Sequence, residues 1–553
     1  MPPSPLPLHL TALDLMAGEK WEEAQALLEK GGAEGGNHPL GLFLLGACRC
    51  QLGRDAEGIA LLERAAILEP DDGKYHFALG KAYLDNRRFI EAEAAFRRAT
   101  ELAPNDANAQ AHLGVALKEQ ARFDEALVHT TKAILLEPDS DKRLVNLGLV
   151  QTEQDNLEGA QQSFLQALAQ DANNAESHMF LGLAQQIMGQ LQEAEVSFRQ
   201  ALGLAQGKSG SREDWLYQFK SNLALNQLLL GNLGEGWDLH TARIDGPNWK
   251  EIRRDRDMPA WDGSPLAGRS LLIWREQGLG DEIRAYSCLP DLLDDGGHQG
   301  VAVECDPRLE SVLKRSFPQL EVVPGQADRN RPFDLQLALS SLPRLYRRTI
   351  ASFEAASPFL VPDPALLDKW TQRLGALPPG RKIGICWRTG LPGAARMWNI
   401  SSLADWAPIL RQPGAVFVNL QYGDCEAELR DAESRFGIRI HRWADVDLKD
   451  DLDDLLALMR GLDLVLTFGT AVNDLAGSVG RPAWLMLRTP HPDMLGTSRY
   501  PWYPTCRVFE RGWNQPWAET LKQVAAALAP QDVGRNAPCP CGSGRRFKHC
   551  CGR

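Results

Sequence analysis

A chain of 553 residues is too long for a single hydrophobic core and must divide into domains. Its 44% apolar and 24% charged residues are ordinary for globular protein, and no run reaches the roughly 18 apolar residues of a membrane helix. A net charge of -12 argues against nucleic acid as the main partner, because that binding depends on neutralising phosphates.

The opening MPPSPLPLHLTALDLMAG lacks the basic start and cleavage pattern of a secretory leader, so a cytoplasmic location is expected. An internal repeat then governs the first half. Gly46, Gly80, Gly114, Gly148 and Gly182 recur every 34 residues; Ala65, Ala99, Ala133, Ala167 and Ala201 keep the same step, as do Ala92, Ala126, Ala160 and Ala194. Small residues at that period mark the close approach of two antiparallel helices. Pro70, Pro104 and Pro138 close the second helix before the next unit begins. Phe96, Phe164 and Phe198 are expected to fill the gap between neighbouring units. The pattern resembles the tetratricopeptide repeat. About seven units run to residue 250, counting an irregular first one with Trp21 and Ala24 and a last one from Leu223 to Trp237. Stacked units form a superhelix with an extended concave face suited to a polypeptide.

Beyond GPNWKEIRRDRDMPAWDGSPLAG the period changes. SLLIW, GVAVE and DLQLAL, then KIGICW, AVFVNLQ, DLVLTF and AWLML, are short apolar runs alternating with amphipathic stretches, the pattern of buried parallel strands joined by helices. The proline-rich ASPFLVPDPALL and GALPPGR separate them into two sets, so two doubly wound α/β halves facing a cleft are expected. The last helix is expected over Trp517 to Ala529. Seven cysteines scattered through this chain, from Cys48 to Cys506, read as reduced core residues.

The stretch LLIWREQGLGDEI runs from a strand into a glycine break, yet carries Glu276, Asp281 and Glu282. It lacks the third glycine of a dinucleotide fingerprint, and its carboxylates would repel a diphosphate. Such a loop suits proton acceptance from a hydroxyl, with Asp281 the first candidate base and Glu276 and Glu282 its competitors; a plain helix cap is the alternative. The second half carries the complementary chemistry. Arg388 and Thr389 follow KIGICW, Arg396 lies nearby, and FGTAVNDLAG turns from strand to helix at Thr470 and Asn473, where free amides can face an anion. Gln421 and Tyr422, ending AVFVNLQY, stand where a donor base could be contacted, with a tyrosine packed into the fold as the favoured alternative. His491, among prolines, has little claim to chemistry.

EQGLGDEIRAYSCLPDL, DPRLESVLKRSFP, GICWRTG, LQYGD and DLVLTFGTAVNDLAGSVGRPAWLML together resemble the transferase half of bacterial tetratricopeptide-repeat glycosyltransferases, themselves similar to heptosyltransferases of the GT-B fold. The resemblance covers roughly Trp261 to Trp517. It implies metal-independent transfer of a sugar from a nucleotide-sugar donor, with Asp281 in the place of the family's base. Repeat arrays fused to such domains resemble the O-linked N-acetylglucosamine transferase and flagellin-modifying transferases, whose repeats bind the protein to be modified. Where the family often has a histidine at the TAVNDLAG helix start, this chain has Asn473 and Asp474.

The tail GRNAPCPCGSGRRFKHCCGR places Cys539, Cys541, Cys550 and Cys551 close enough for one tetrahedral zinc, with Gly542 to Gly544 as the turn between the pairs and His549 as a substitute ligand. It resembles the zinc-binding motif at the end of the SecA translocation motor. Such a site is closed and structural, and its basic residues Arg545, Arg546 and Lys548 suit docking to an acidic protein surface, a chaperone, an export component or the ribosome.

The organisation expected is therefore an α-solenoid over residues 1–250, a GT-B-like α/β region whose acceptor half spans 251–375 and whose nucleotide-sugar half spans 376–530, and a zinc motif over 534–553. The expected function is a protein O-glycosyltransferase acting on Ser or Thr of a polypeptide held by the repeats, such as flagellin. The alternative is a non-catalytic adaptor that joins a client to export machinery through the tail.

Overall fold

The structure, a computed structural model, describes residues 5–32, 38–206, 213–246, 258–294, 300–327, 331–354, 357–389, 401–529 and 546. Its first part consists of seven helical pairs: α1 (Pro5–Ala17) and α2 (Trp21–Lys30), α3 (Pro39–Gln51) and α4 (Asp55–Leu68), α5 (Gly73–Asp85) and α6 (Phe89–Leu102), α7 (Ala107–Glu119) and α8 (Phe123–Leu136), α9 (Asp141–Glu153) and α10 (Leu157–Gln170), α11 (Ala175–Ile187) and α12 (Leu191–Gln206), α13 (Glu213–Leu229) and α14 (Leu233–His240). The chain separates into two compact units, one of residues 1–185 with 196–208, the other of 186–195 with 209–553. The last pair, α13 and α14, belongs to the second unit, so the division falls before it and not near residue 250.

Within the pairs the 34-residue step has a steric cause. A Cβ on Gly80 would lie 2.8 Å from the Phe96 ring, one on Gly148 2.5 Å from Phe164, and one on Gly182 2.7 Å from Phe198. These phenylalanines thus fill the gap inside their own pair, and Phe96 and Phe164 also reach the neighbouring unit as the sequence led us to expect, with ring centroids 5.6 Å from His112 and 5.8 Å from Phe180. The alanines that keep the step are buried, with Ala92, Ala126, Ala133 and Ala160 fully so. Each proline stands two residues beyond a helix end, and Asp106, two residues after Pro104, caps α7 by accepting from the amides of Asn108 (2.8 Å) and Ala109 (3.2 Å). The turn inside each pair requires one left-handed residue. Gly53 and Gly189 supply it without strain, whereas Arg87, Ala121 and Asp155 take φ of 57°, 58° and 61° at the same repeat position.

The second unit holds two parallel sheets. The first has the order β3-β2-β1-β4, from β1 (Leu271–Trp274), β2 (Val301–Cys305), β3 (Glu321–Pro324) and β4 (Leu335–Ala338). The second has the order β10-β9-β8-β5-β6-β7, from β5 (Arg381–Cys386), β6 (Ala415–Asn419), β7 (Ile440–His441), β8 (Leu464–Phe468), β9 (Ala483–Thr489) and β10 (Cys506–Gly512). Register pairs Leu271 with Val301 and Leu335 across the first sheet, and Ile383 with Phe417 and Leu464 across the second. β1, β2 and β8 are buried along their whole length, which is why they read as unbroken apolar runs. Chain direction across each sheet reverses once, between β1 and β4 in the first and between β5 and β8 in the second. A crevice opens at such switch points, beyond the strand carboxyl ends. Three helices matter below: α15 (Leu279–Tyr286) after β1, α16 (Ala471–Ser478) after β8, and the closing α17 (Trp517–Leu528). Among the described residues no helix is long and apolar enough to cross a membrane.

Candidate functional site

Both switch points open onto one cavity of about 920 Å³. Its wall comes from the residues that follow strands: Gln277 and Gly278 after β1, Ser340 after β4, Arg388 and Thr389 after β5, Tyr422 after β6, Gly469 and Thr470 after β8, and His491 and Asp493 after β9. Helices α15 and α16 meet in it. Gly280 permits their approach, since a Cβ there would lie 2.8 Å from Asp474 Oδ2 and 3.5 Å from Ala471 Cα. The second glycine of the GLG break therefore lets helix meet helix and cradles no phosphate.

The three carboxylates of the acidic loop have three separate fates. Glu276 is buried and does not line the cavity: Arg243, in the turn after α14, donates to it through Nε (3.0 Å) and Nη2, and the Ser340 amide donates at 3.1 Å. Glu282, fully buried, accepts from Arg275 Nε (2.6 Å), the Asp306 amide (3.0 Å) and the Tyr286 hydroxyl (3.2 Å). Burial pushes its carboxyl up, against the pull of Arg275. Both candidates are corrected to structural anchors, because neither carboxylate reaches the cavity. Asp281 does line it, with its side chain 44% exposed, and it accepts through Oδ1 from Nη2 of Arg284, one helical turn on. The N-cap position of α15 is Gly278 and no side chain makes a capping hydrogen bond there, although Asp281 stands in the first turn, where its charge suits the helix N-terminus.

Arg284 joins the two halves. Besides Asp281 it meets Asp493 Oδ2 at 3.0 Å, Asp474 Oδ2 at 3.4 Å and the Tyr500 hydroxyl oxygen at 3.5 Å. Burial alone would lower its pKa, but Asp493 and Asp474 hold it well above the ordinary value. Three carboxylates around one guanidinium leave an excess of negative charge. Asp474, at 2% exposure, answers by retaining a proton: burial pushes it up to about 7 although Arg284 pulls it down. His491 lines the same region; burial lowers its pKa, and its Nδ1 accepts from the Asp493 amide at 3.3 Å.

The donor-side candidates divide likewise. Arg388 lines the cavity, but Nε and Nη2 donate to Glu428 (3.1 and 2.7 Å) and Nη2 also to the Asp424 carbonyl (2.8 Å); the Glu428 bond raises its pKa. Its charge is already satisfied, which corrects its reading as a ready phosphate partner. Gln421 is buried outside the cavity wall, its Oε1 accepting from the amides of Trp387 (3.1 Å) and Arg388 (3.0 Å), so it joins β6 to β5 and is not placed to read a base. Thr389 and Tyr422 do line the wall. Thr470 occupies the N-cap position of α16 without a capping bond from its side chain; its hydroxyl lies 3.2 Å from that of Thr467. Among the described residues the first-turn amides of Ala471 and Val472 have no acceptor, and Asn473, 2% exposed, has no partner for Nδ2. Arg396 and the zinc candidates Cys539, Cys541, Cys550 and Cys551 lie outside the described residues. Among the described residues no cluster of His, Cys, Asp and Glu could hold a metal ion.

Sequence reasoning missed Arg284, Asp493, Lys449 and Trp502. Arg284 was detectable as the i+3 partner of Asp281. Lys449, exposed on the cavity wall, makes no ion pair among the described residues, whereas Arg308 beside it is paired with Asp306.

Comparison with known proteins adds the following. Residues 535–553 match the SEC-C motif family, and residues 73–106 and 145–209 match the tetratricopeptide repeat. The chain therefore carries tetratricopeptide repeats and a SEC-C motif. It is 36% identical over 340 residues to Protein FlbA of Caulobacter vibrioides, across 59% of this chain and 57% of that protein, so it spans little more than half the length of this curated relative. Its tail is 81% identical over 21 residues to the protein translocase subunit SecA of Treponema pallidum, which is 4% of this chain and 2% of that protein. Among solved structures, MamA from Desulfovibrio magneticus RS-1 aligns with 30% of this chain and 94% of its own at 20% identity and a TM-score of 0.28. YrrB, described as a TPR protein with an unusual peptide-binding site, aligns with 32% of this chain and 91% of its own at 16% identity and a TM-score of 0.28.

Proposed function

We propose that the chain is a protein O-glycosyltransferase of GT-B type, in which the cavity between the two sheets binds a nucleotide sugar and Asp281 takes the proton of an acceptor Ser or Thr. The observation that carries this reading is the convergence of both switch points on one cavity, with a half-exposed carboxylate on one wall and free helix amides on the other. The amides of Ala471 and Val472 and the Asn473 Nδ2 are the groups for the donor diphosphate; Lys449 supplies the unpaired positive charge. Arg284 holds one oxygen of Asp281, which leaves Oδ2 for the hydroxyl proton. The acceptor is a polypeptide bound by the repeats, flagellin being one candidate, and the reaction runs in the cytoplasm. The four tail cysteines suit one structural zinc, whose basic surroundings dock to an acidic partner, a chaperone, an export component or the ribosome.

A second reading, a non-catalytic adaptor that senses a nucleotide sugar, is favoured by one observation: Arg284, Arg308 and Arg388 are each already neutralised by protein carboxylates. Activity separates the two. A donor at 100 times its dissociation constant should add roughly 2.7 kcal/mol of stability in either case. Only a transferase loses turnover, by about 10²- to 10⁴-fold, on Asp281→Asn while donor affinity and melting temperature change little. Equal turnover in parent and variant removes Asp281 as the base, and no transfer from any nucleotide sugar leaves the adaptor.

A further inference from the structure

Among the described residues the Asp281 carboxylate accepts one hydrogen bond, at Oδ1 from Nη2 of Arg284. Oδ2 lies over Gly278 at the cavity wall, where a Cβ would stand 3.5 Å from it. Gly278 has φ of -73°, a conformation open to any residue, so the backbone does not call for a glycine there. What the glycine does is leave the space beside Oδ2 open, on a side chain that is 44% exposed.

An aspartate and an arginine one turn apart on an exposed helix share a loose contact, since each side chain keeps several rotamers. Arg284 is not loose. Its side chain is 16% exposed, and Nη1 reaches across to the second half: it lies 3.0 Å from Asp493 Oδ2, 3.4 Å from both oxygens of Asp474 and 3.5 Å from the Tyr500 hydroxyl. A guanidinium is planar and rigid, so the partners that fix Nη1 also aim Nη2. Asp493 is the nearest of them. It stands in the turn Pro492–Met494 after β9, where its amide donates to His491 Nδ1 at 3.3 Å. Asp474 is the weaker hold, being farther away and, with burial pushing its carboxyl up to about 7, only partly charged at neutral pH. The first half thus carries the carboxylate while the second half decides where it points.

We propose that Arg284 and Asp493 are positioning residues for the transfer: Asp493 fixes Arg284, and Arg284 turns Asp281 so that Oδ2 faces the acceptor hydroxyl. This role rests on the transferase reading above for what the carboxylate does, but not for how it is held. In that step the acceptor oxygen bonds to the anomeric carbon, the bond from that carbon to the diphosphate breaks with its electron pair leaving on the diphosphate, and the hydroxyl proton passes to Oδ2. Arg284 and Asp493 act only through Asp281. Transfer is measured with the full chain, flagellin as acceptor, and UDP-, dTDP-, GDP- and ADP-linked sugars as donors. Asp493→Ala and Arg284→Lys, which keeps the charge but not the two-ended fork, should each lower kcat about 10- to 100-fold, as a misdirected group does, with the donor KM within about 2-fold of the parent. In an Asp281→Asn background the same two changes should move kcat by less than about 2-fold, because the group they aim is already gone. Crystal structures of the parent and both single variants, without donor, should show the Asp281 side chain turned from its place over Gly278 in the variants. Asp493→Ala keeps the test open if Arg284→Lys does not fold. An undisplaced Asp281 in the folded variants, full activity in Arg284→Lys, losses that multiply with that of Asp281→Asn, or a rise in donor KM with kcat unchanged overturns the positioning role. A displaced Asp281 in the variants of a chain that transfers from none of these donors upholds the positioning and removes the transferase; transfer by variants in which Asp281 has not moved does the reverse.

Discussion

The ion pair between Arg243 and Glu276 offers the sharpest test of how the last helical pair is fastened to the α/β sheets. The side chains are 7% and 0% exposed, and their bidentate contact is reinforced by the Ser340 amide on Glu276 and by the Ser341 hydroxyl and His240 carbonyl on Arg243. Arg243→Met keeps the length and apolar volume of the stem but leaves a buried carboxylate with one amide donor. Removing one partner of a buried pair costs about 3–5 kcal/mol, most of it the desolvation of the charge left behind. Arg243→Met with Glu276→Met removes both charges, and similar-volume apolar replacement of a buried pair is often close to neutral. The double variant should therefore recover most of the loss. Urea unfolding of parent, both single variants and the double variant gives the coupling directly. A single variant within about 1 kcal/mol of the parent, or a double variant as unstable as the worse single one, would refute the anchoring role and return Glu276 to consideration as a functional acid.

Three further outcomes are expected. Between the ordinary carboxyl range and about 7 the folded chain holds a proton on Asp474 that the unfolded chain has released, so its contribution to stability falls as pH rises across that window. Nucleotide-sugar affinity should fall as pH rises through about 7, where charge appears on the folded chain's Asp474 beside the α16 amides, and both trends should flatten in Asp474→Asn, read by thermal shift and calorimetry at pH 5 to 8; an unchanged profile in the variant would assign the titration elsewhere. Ala121→Gly should stabilise the repeat unit by up to about 1 kcal/mol, because Ala121 holds φ of 58°, and Gly53→Ala should cost about as much; urea midpoints moving the other way would contradict the strained turn. Cys539→Ser with Cys551→Ser should lose one zinc per chain by metal analysis while donor binding persists, and undiminished zinc would remove the assignment.

Periodicity made the helical pairs legible, because a glycine or alanine is obligatory wherever two helices touch and recurs with the repeat. The turn residues were not, since Arg87, Ala121 and Asp155 tolerate a conformation whose usual marker stands at Gly53, Gly189 and Gly231. Central strands announced themselves as apolar runs because both faces are buried, whereas β3, β7 and β10 went unread. Each lies at or beside a sheet edge, and β7 spans two residues. The site candidates show the same limit. Composition placed carboxylates beside a glycine break, and all three do stand there. Only the fold decided that Glu276 meets Arg243 from 33 residues away, that Glu282 closes on Arg275 and Asp306, and that Asp281 alone faces the cavity. Arg388 and Gln421 followed the right strands, but Glu428 and the β5 amides had already claimed them. Sequence thus determined which residues are small, apolar or charged at each repeat and strand position, for these follow from local sterics and burial. Tertiary structure alone determined which charges remain unpaired, because an ion pair is a property of distance in space, and partners as far apart as Arg284 and Asp493 are adjacent only once the two sheets have folded around one cavity.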